Sequence, residues 1–111
     1  MRIWGLKSCD TCRKAVKELT GAGHEPDYVD VRADGVEGAD LERFFAEFGE
    51  ALVNRRSTTW RGLSEEDRER PPVELLSAHP TLMKRPVVEA GGVLTLGWGA
   101  NERAQWLDKS V

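Results

Sequence analysis

The chain has 111 residues, of which 40% are hydrophobic and 32% charged. Lys and Arg number 16 against 19 Asp and Glu, a formal charge of −3, and the pI lies near 5.4. This balance counts against duplex DNA, or nucleic acid in general, and against an anionic membrane surface as the main partner, because each needs a net basic face. No run approaches the roughly eighteen apolar residues of a membrane span. Met1 to Lys7 turns polar too soon for a secretory leader. A reducing cytoplasm is the expected compartment, and two cysteines three residues apart point there to redox or catalytic chemistry rather than stapling. The length suits one domain able to bury roughly 65% of its unfolded surface.

Residues 2–6 read as a short apolar strand, followed by Cys9-Asp10-Thr11-Cys12. A helix is expected next. Ala15, Val16 and Leu19 form its apolar stripe and Arg13, Lys14, Lys17 and Glu18 its wet side. Gly21 and Gly23 stop it. Beyond Pro26, Tyr28-Val29-Asp30-Val31 alternates as a strand does. Strand, helix and strand within thirty residues are the signature of a parallel βαβ unit.

Asp34 to Gly38 is a polar loop, and Asp40 is the predicted N-cap of a second helix. Leu41, Phe44, Phe45 and Phe48 make one face of it, and Gly49 ends it. Asn54 to Arg61, polar and carrying three arginines, reads as a loop. Ser64 with Asp67 resembles an acidic capping box opening a short helix that Pro71 and Pro72 close. Val73, Leu75 and Leu76 predict one or two more helical turns, ending at His79-Pro80. Strands at 86–90 and 93–96 flank Gly91-Gly92, a pair that permits the positive φ angles of a two-residue hairpin turn. Asn101 is the expected cap of a last helix bearing Ala104 and Leu107. The α/β order βαβ, helices, ββα matches a thioredoxin-like fold, a mixed four-stranded sheet in βαβ and ββα halves. A helical insertion falls at about 39–80 of a single domain over 1–111. Among several α/β arrangements this one ranks first.

Cys9 falls after a strand and at the mouth of a helix, where unpaired amides and the positive end of the helix dipole stabilise a thiolate. A thiol with a pKa near 8.5 is only about 3% ionised at pH 7, whereas one near 6 is roughly 90% ionised. Cys12 at i+3 is roughly 5–6 Å away, within disulfide range. The spacing therefore permits a nucleophile at Cys9 and a resolving thiol at Cys12. Asp10 works against the thiolate, and Arg13 and Lys14 oppose Asp10. Inert packing is the alternative role for both cysteines, but the polar neighbours Lys7, Ser8, Asp10, Thr11 and Arg13 argue against deep burial of Cys9. A zinc site joining them to His24 and His79 has no recognised ligand spacing and ranks below redox chemistry; no metal is expected.

The same helix start is an anion site, toward which Arg13, Arg55, Arg56 and Arg85 are candidates to converge. Arg68 and Arg70 read as a solvated charge run. Arg85 precedes Pro86 at a strand start, and cis peptide bonds are nearly confined to proline. Trp4, Trp60, Trp98 and Trp106 are expected to pack.

Four blocks then stand out: Gly5 to Ala15, Asn54 to Arg61, His79 to Val88, and Gly97-Trp98. Together, and in this order, they resemble the ArsC/Spx/YffB family, related to glutaredoxin-coupled arsenate reductases. The resemblance spans nearly the whole chain and lies closest to the YffB and Spx branches. It implies a thioredoxin-like fold with a helical insertion. It also implies a nucleophile at Cys9, an arginine one turn below it at Arg13, and an insertion-loop arginine at Arg56. Arg85 matches the arginine before the family's cis-proline, here Pro86. Cys12 departs from arsenate reductases and is shared with the Spx branch. Asn54 and Gly97-Trp98 stand where arsenate reductases carry oxyanion-binding arginines. Loss of two such contacts counts against arsenate as the substrate.

The function so implied is that of a cytoplasmic thiol oxidoreductase, arsenate reductase-like in family. Cys9 attacks, Arg13, Arg56 and Arg85 hold the anionic group, and glutathione or Cys12 resolves the adduct. No bound cofactor is expected; glutathione, or a glutaredoxin- or thioredoxin-type reductant, is the expected co-substrate. The alternative is an Spx-like redox-sensing regulator that binds RNA polymerase.

Overall fold

The structure, a computed structural model, describes residues 1–107. In chain order it contains β1 (Arg2–Gly5), α1 (Asp10–Gly21), β2 (Asp27–Asp30), α2 (Val31–Asp34), α3 (Gly38–Phe48), α4 (Thr58–Arg61), α5 (Glu65–Arg68), α6 (Pro72–Ala78), β3 (Val87–Ala90), β4 (Val93–Leu96) and α7 (Ala100–Leu107). Short 3₁₀ turns cover Gly49–Leu52 and Pro80–Leu82. The chain resolves into two compact units, one of Met1–Asp30 with the segment from Arg85 onward, the other Val31–Lys84. None of the described helices is long and apolar enough to cross a membrane.

The first unit is a mixed sheet of order β2-β1-β3-β4. β1 runs parallel to β2, with Ile3 opposite Tyr28, and antiparallel to β3, with Ile3 opposite Val88. A parallel pair needs a crossover, and α1 supplies it. The β3–β4 hairpin closes on Gly91 and Gly92 at φ 58° and 80°, a conformation that side chains on both residues would strain. Ile3, Ala15, Leu19, Val88, Trp98 and Trp106 form the core cluster, with Val16 and Tyr28 packed against it. Both core indoles find acceptors: Trp98 Nε1 donates to Glu18 at 3.0 Å and Trp106 Nε1 to Thr95 Oγ1 at 2.7 Å. Buried indoles need such partners, and these tie α1 and β4 to the C-terminal segment. His24 Nε2 donates to the Trp106 carbonyl at 2.9 Å.

Asn101 does not cap α7. The helix already includes Ala100, and the Glu102 carboxylate reaches back to accept the Gly99 N–H at 3.0 Å. β2 likewise stops at Asp30, and Val31 turns into α2 with its side chain fully buried.

In the second unit α3 buries Leu41 and Phe44, with Phe45 and Phe48 at the edge of that face. Its N-cap is Glu37, which makes no side-chain cap bond. Asp40 lies inside the first turn and pairs with Arg43 at 2.8 Å, the i,i+3 geometry that its helical position makes available. Half of the expected 54–61 loop is helical. Ser57 Oγ accepts the Trp60 N–H at 3.1 Å and starts α4, a local cap outweighed in the sequence by the polar composition around it. Ser64 Oγ accepts the Asp67 N–H at 3.1 Å and starts α5. Pro72 opens α6, which buries Leu75 and Leu76. Arg68 is not a solvated charge. It lies 5.4 Å from the Trp60 ring centre and donates twice to the Trp60 carbonyl, at 3.1 and 3.2 Å. Arg55 lies 5.3 Å from the same ring centre.

Candidate active site

Between β1 and α1 the chain turns sharply. The Cys9 N–H donates to the Leu6 carbonyl at 3.1 Å. Cys9 then takes extended backbone angles, φ −86° and ψ 117°, and becomes the N-cap of α1. Its sulfur accepts the Cys12 N–H at 3.4 Å, the position that a serine or aspartate oxygen fills in most helices. The Cys9 side chain is half-buried, so the sulfur keeps an approach from solvent.

Opposing forces set its acidity. Burial pushes the Cys9 thiol up, but hydrogen bonds from the Cys12 thiol, the Cys12 N–H and the Arg85 guanidinium, together with the Arg85 charge, bring it below the ordinary thiol value. Cys12 is driven the other way. It is fully buried, and that burial, followed by its hydrogen bond with Cys9, pushes its thiol up to about 12. The pair is therefore asymmetric: one sulfur favours the thiolate and the other resists it.

Gly5 makes room for the second sulfur. A Cβ there would lie 2.7 Å from Cys12 Sγ, well inside van der Waals contact. The glycine is needed for space, since its backbone angles are ordinary.

Arg85 comes from the start of the ββα half, where the Arg85–Pro86 bond is cis and Pro86 is buried. The Pro86 carbonyl accepts the Gly97 N–H at 2.8 Å, which fixes this segment to the end of β4. Arg85 is the arginine that the structure brings to the Cys9 sulfur. Arg13 sits in the first turn of α1 and forms an exposed ion pair with Asp10. That pair occupies the one carboxylate flanking Cys9 on the helix.

Arg56 belongs to the second unit. It lines a pocket of about 520 Å³ with Ala51, Val53, Asn54, Arg55 and Lys84, so three cations and an amide face one space. The Asn54 side-chain oxygen accepts the Arg56 N–H at 3.1 Å, and Arg55 pairs with Glu50. The Trp98 indole is committed to Glu18. Among the described residues no group of three or more His, Cys, Asp or Glu is placed to hold a metal ion.

Two contributors escaped the sequence. Gly5 opened the first of the four blocks, but nothing in the sequence marked it as space for a sulfur. Tyr28 read as an ordinary strand residue, yet its hydroxyl donates to the Leu6 carbonyl across the sheet.

A thioredoxin-like sheet whose first helix opens on an acidified cysteine is the architecture of a thiol oxidoreductase-like protein. The ArsC family profile matches residues 4–105. An uncharacterized protein of Haemophilus influenzae is 36% identical over 105 residues, covering 90% of this chain and 92% of the relative. Among solved structures, a protein designated YffB is 34% identical with a TM-score of 0.87, covering 96% of this chain and 97% of that one. An arsenate reductase (ArsC) related protein from Brucella melitensis is 34% identical with a TM-score of 0.70, covering 95% and 92%. The chain belongs to the ArsC family.

Proposed function

We propose that the protein is a cytoplasmic, glutathione-dependent thiol reductase with Cys9 as its nucleophile. The observation that carries this is the Cys9 sulfur at the N-cap of α1, held by the Cys12 N–H at 3.4 Å and by the Arg85 guanidinium. In the first step the Cys9 thiolate attacks the glutathione sulfur of a mixed disulfide between the substrate and glutathione. The Cys9–sulfur bond forms as the old S–S bond breaks, and the substrate leaves as a thiolate. In the second step a glutathione thiolate attacks the adduct, releases oxidised glutathione and restores Cys9. The net exchange consumes one mixed disulfide and one glutathione thiol and yields one substrate thiol and one glutathione disulfide.

The buried Cys12, its thiol pushed up to about 12, is a slow competitor for the second step, so an external thiol resolves the adduct. Arg85 stabilises Cys9 and, with Arg13, is assigned to the anionic groups of the substrate, glutathione carboxylates among them. Relatives named as arsenate reductase-related support the reductase class. Asn54 and Gly97-Trp98, where the resemblance expects two arginines, argue against arsenate itself.

The test is mass spectrometry of the oxidised protein with glutathione present, coupled to a disulfide-reduction assay. A glutathione adduct on Cys9 and turnover lost in Cys9→Ser are expected. An exclusive internal disulfide, or capture of RNA polymerase subunits without turnover, would replace the proposal with a dithiol or regulatory role.

A further inference from the structure

Leu6 connects both sulfurs to one distant side chain. Its carbonyl accepts the Cys9 N–H at 3.1 Å and also the Tyr28 hydroxyl. Its own N–H bonds the Cys12 sulfur. Tyr28 stands on β2, opposite Ile3 of β1, and its ring packs on the core cluster. The hydroxyl thus arrives from the edge strand β2, with its ring anchored on the core cluster, at the turn that presents Cys9. It also lies 3.2 Å from the Cβ position of Gly5, a point 2.7 Å from Cys12 Sγ. A hydroxyl bonded to a carbonyl withdraws its partial negative charge and holds the turn in place.

We infer that Tyr28 is a positioning residue for the cysteine pair, acting through the backbone of Leu6 on the sulfur of Cys9. It rests on Cys9 being the nucleophile. With the hydroxyl in place, the Leu6–Cys9 turn is clamped and the Cys9 sulfur stays in line with the Cys12 amide. Without it, the Leu6 carbonyl keeps its full partial charge, the turn relaxes, and the thiolate loses support. Burial raises the Tyr28 phenol above its ordinary value, so the hydroxyl remains a donor at every pH at which the enzyme works.

The experiment compares the pH profile of Cys9 alkylation in the wild type with that in Tyr28→Phe, which keeps the ring and removes the hydroxyl. The expected midpoint rises by about half a pH unit, roughly a threefold fall in thiolate population below the midpoint. A role confined to core packing would not move it, because the ring is retained. A second probe avoids mutation. The chain has a single tyrosine, so biosynthetic replacement by 3-fluorotyrosine alters this hydroxyl alone and makes it a stronger donor. Its expected midpoint shifts downward. Midpoints that coincide with the wild type in both proteins overturn the inference. A wild-type midpoint at or above about 8 instead defeats the nucleophile assignment, whatever the differences between variants.

Discussion

The amide of Cys12 points at the sulfur of Cys9 from 3.4 Å, while the sulfur of Cys12 itself lies sealed against Gly5. One residue thus contributes its backbone to activate its neighbour and withholds its own side chain. In the folded protein Cys9 is expected to alkylate rapidly at neutral pH and Cys12 only on unfolding. Peptide mass mapping after timed alkylation checks this. Equal labelling of both sites would contradict the asymmetry.

Arg85 supplies both a hydrogen bond and a charge to Cys9. Arg85→Gln keeps some hydrogen-bonding capacity and removes the charge. The Cys9 midpoint should rise by about half a unit, the size expected for a half-exposed pair screened by solvent. High salt should reproduce part of the shift in the wild type and none in the variant. A pH series of alkylation rates at two ionic strengths reads both effects.

Cys12 makes stability depend on alkaline pH. In the unfolded chain its thiol ionises at the ordinary value of 9.0, and in the folded protein at about 12. A raised acid favours the folded state while protonated. The contribution is therefore fully present below pH 9 and is lost as pH climbs toward 12, by roughly 1–4 kcal/mol over the window. Urea unfolding at stepped pH should show this decline. In Cys12→Ala the decline should be shallower, although the baseline stability is lower because a cavity replaces the sulfur.

Gly5→Ala places a methyl group 2.7 Å from Cys12 Sγ and 3.1 Å from its Cβ. Overpacking of this kind costs about 1–3 kcal/mol. The same substitution in a Cys12→Ala background should cost about 1 kcal/mol less, because the obstructing sulfur is gone. The double-mutant cycle, measured by denaturant midpoints, reports that coupling. Additive costs would show that Gly5 is required for another reason.

The local features of this protein are written in short spans of sequence. Cys9 and Cys12 at a strand–helix junction, the Gly91-Gly92 turn and the Ser64 cap were all legible, because each depends on backbone geometry within a few residues. Their combination pointed to the thioredoxin-like order of elements. The caps that failed, Asp40 and Asn101, failed because a neighbouring helix start one to three residues earlier was equally available to the chain. The helix at Thr58–Arg61 was hidden by its polarity, since only Ser57 marked it.

Other features depend on residues far apart along the chain. Arg85 reaches a cysteine 76 positions away, Trp98 and Arg103 meet Glu18, and Tyr28 reaches Leu6 across a parallel strand pair. Periodicity encodes none of these meetings, and only Arg85 was marked in advance, by its block around Pro86. Strand register sets them, and register is settled by which faces bury their apolar residues when the whole sheet assembles. The local sequence could therefore mark the cysteine at the helix start, while the packed sheet determined its charge partners and the confinement of its neighbour.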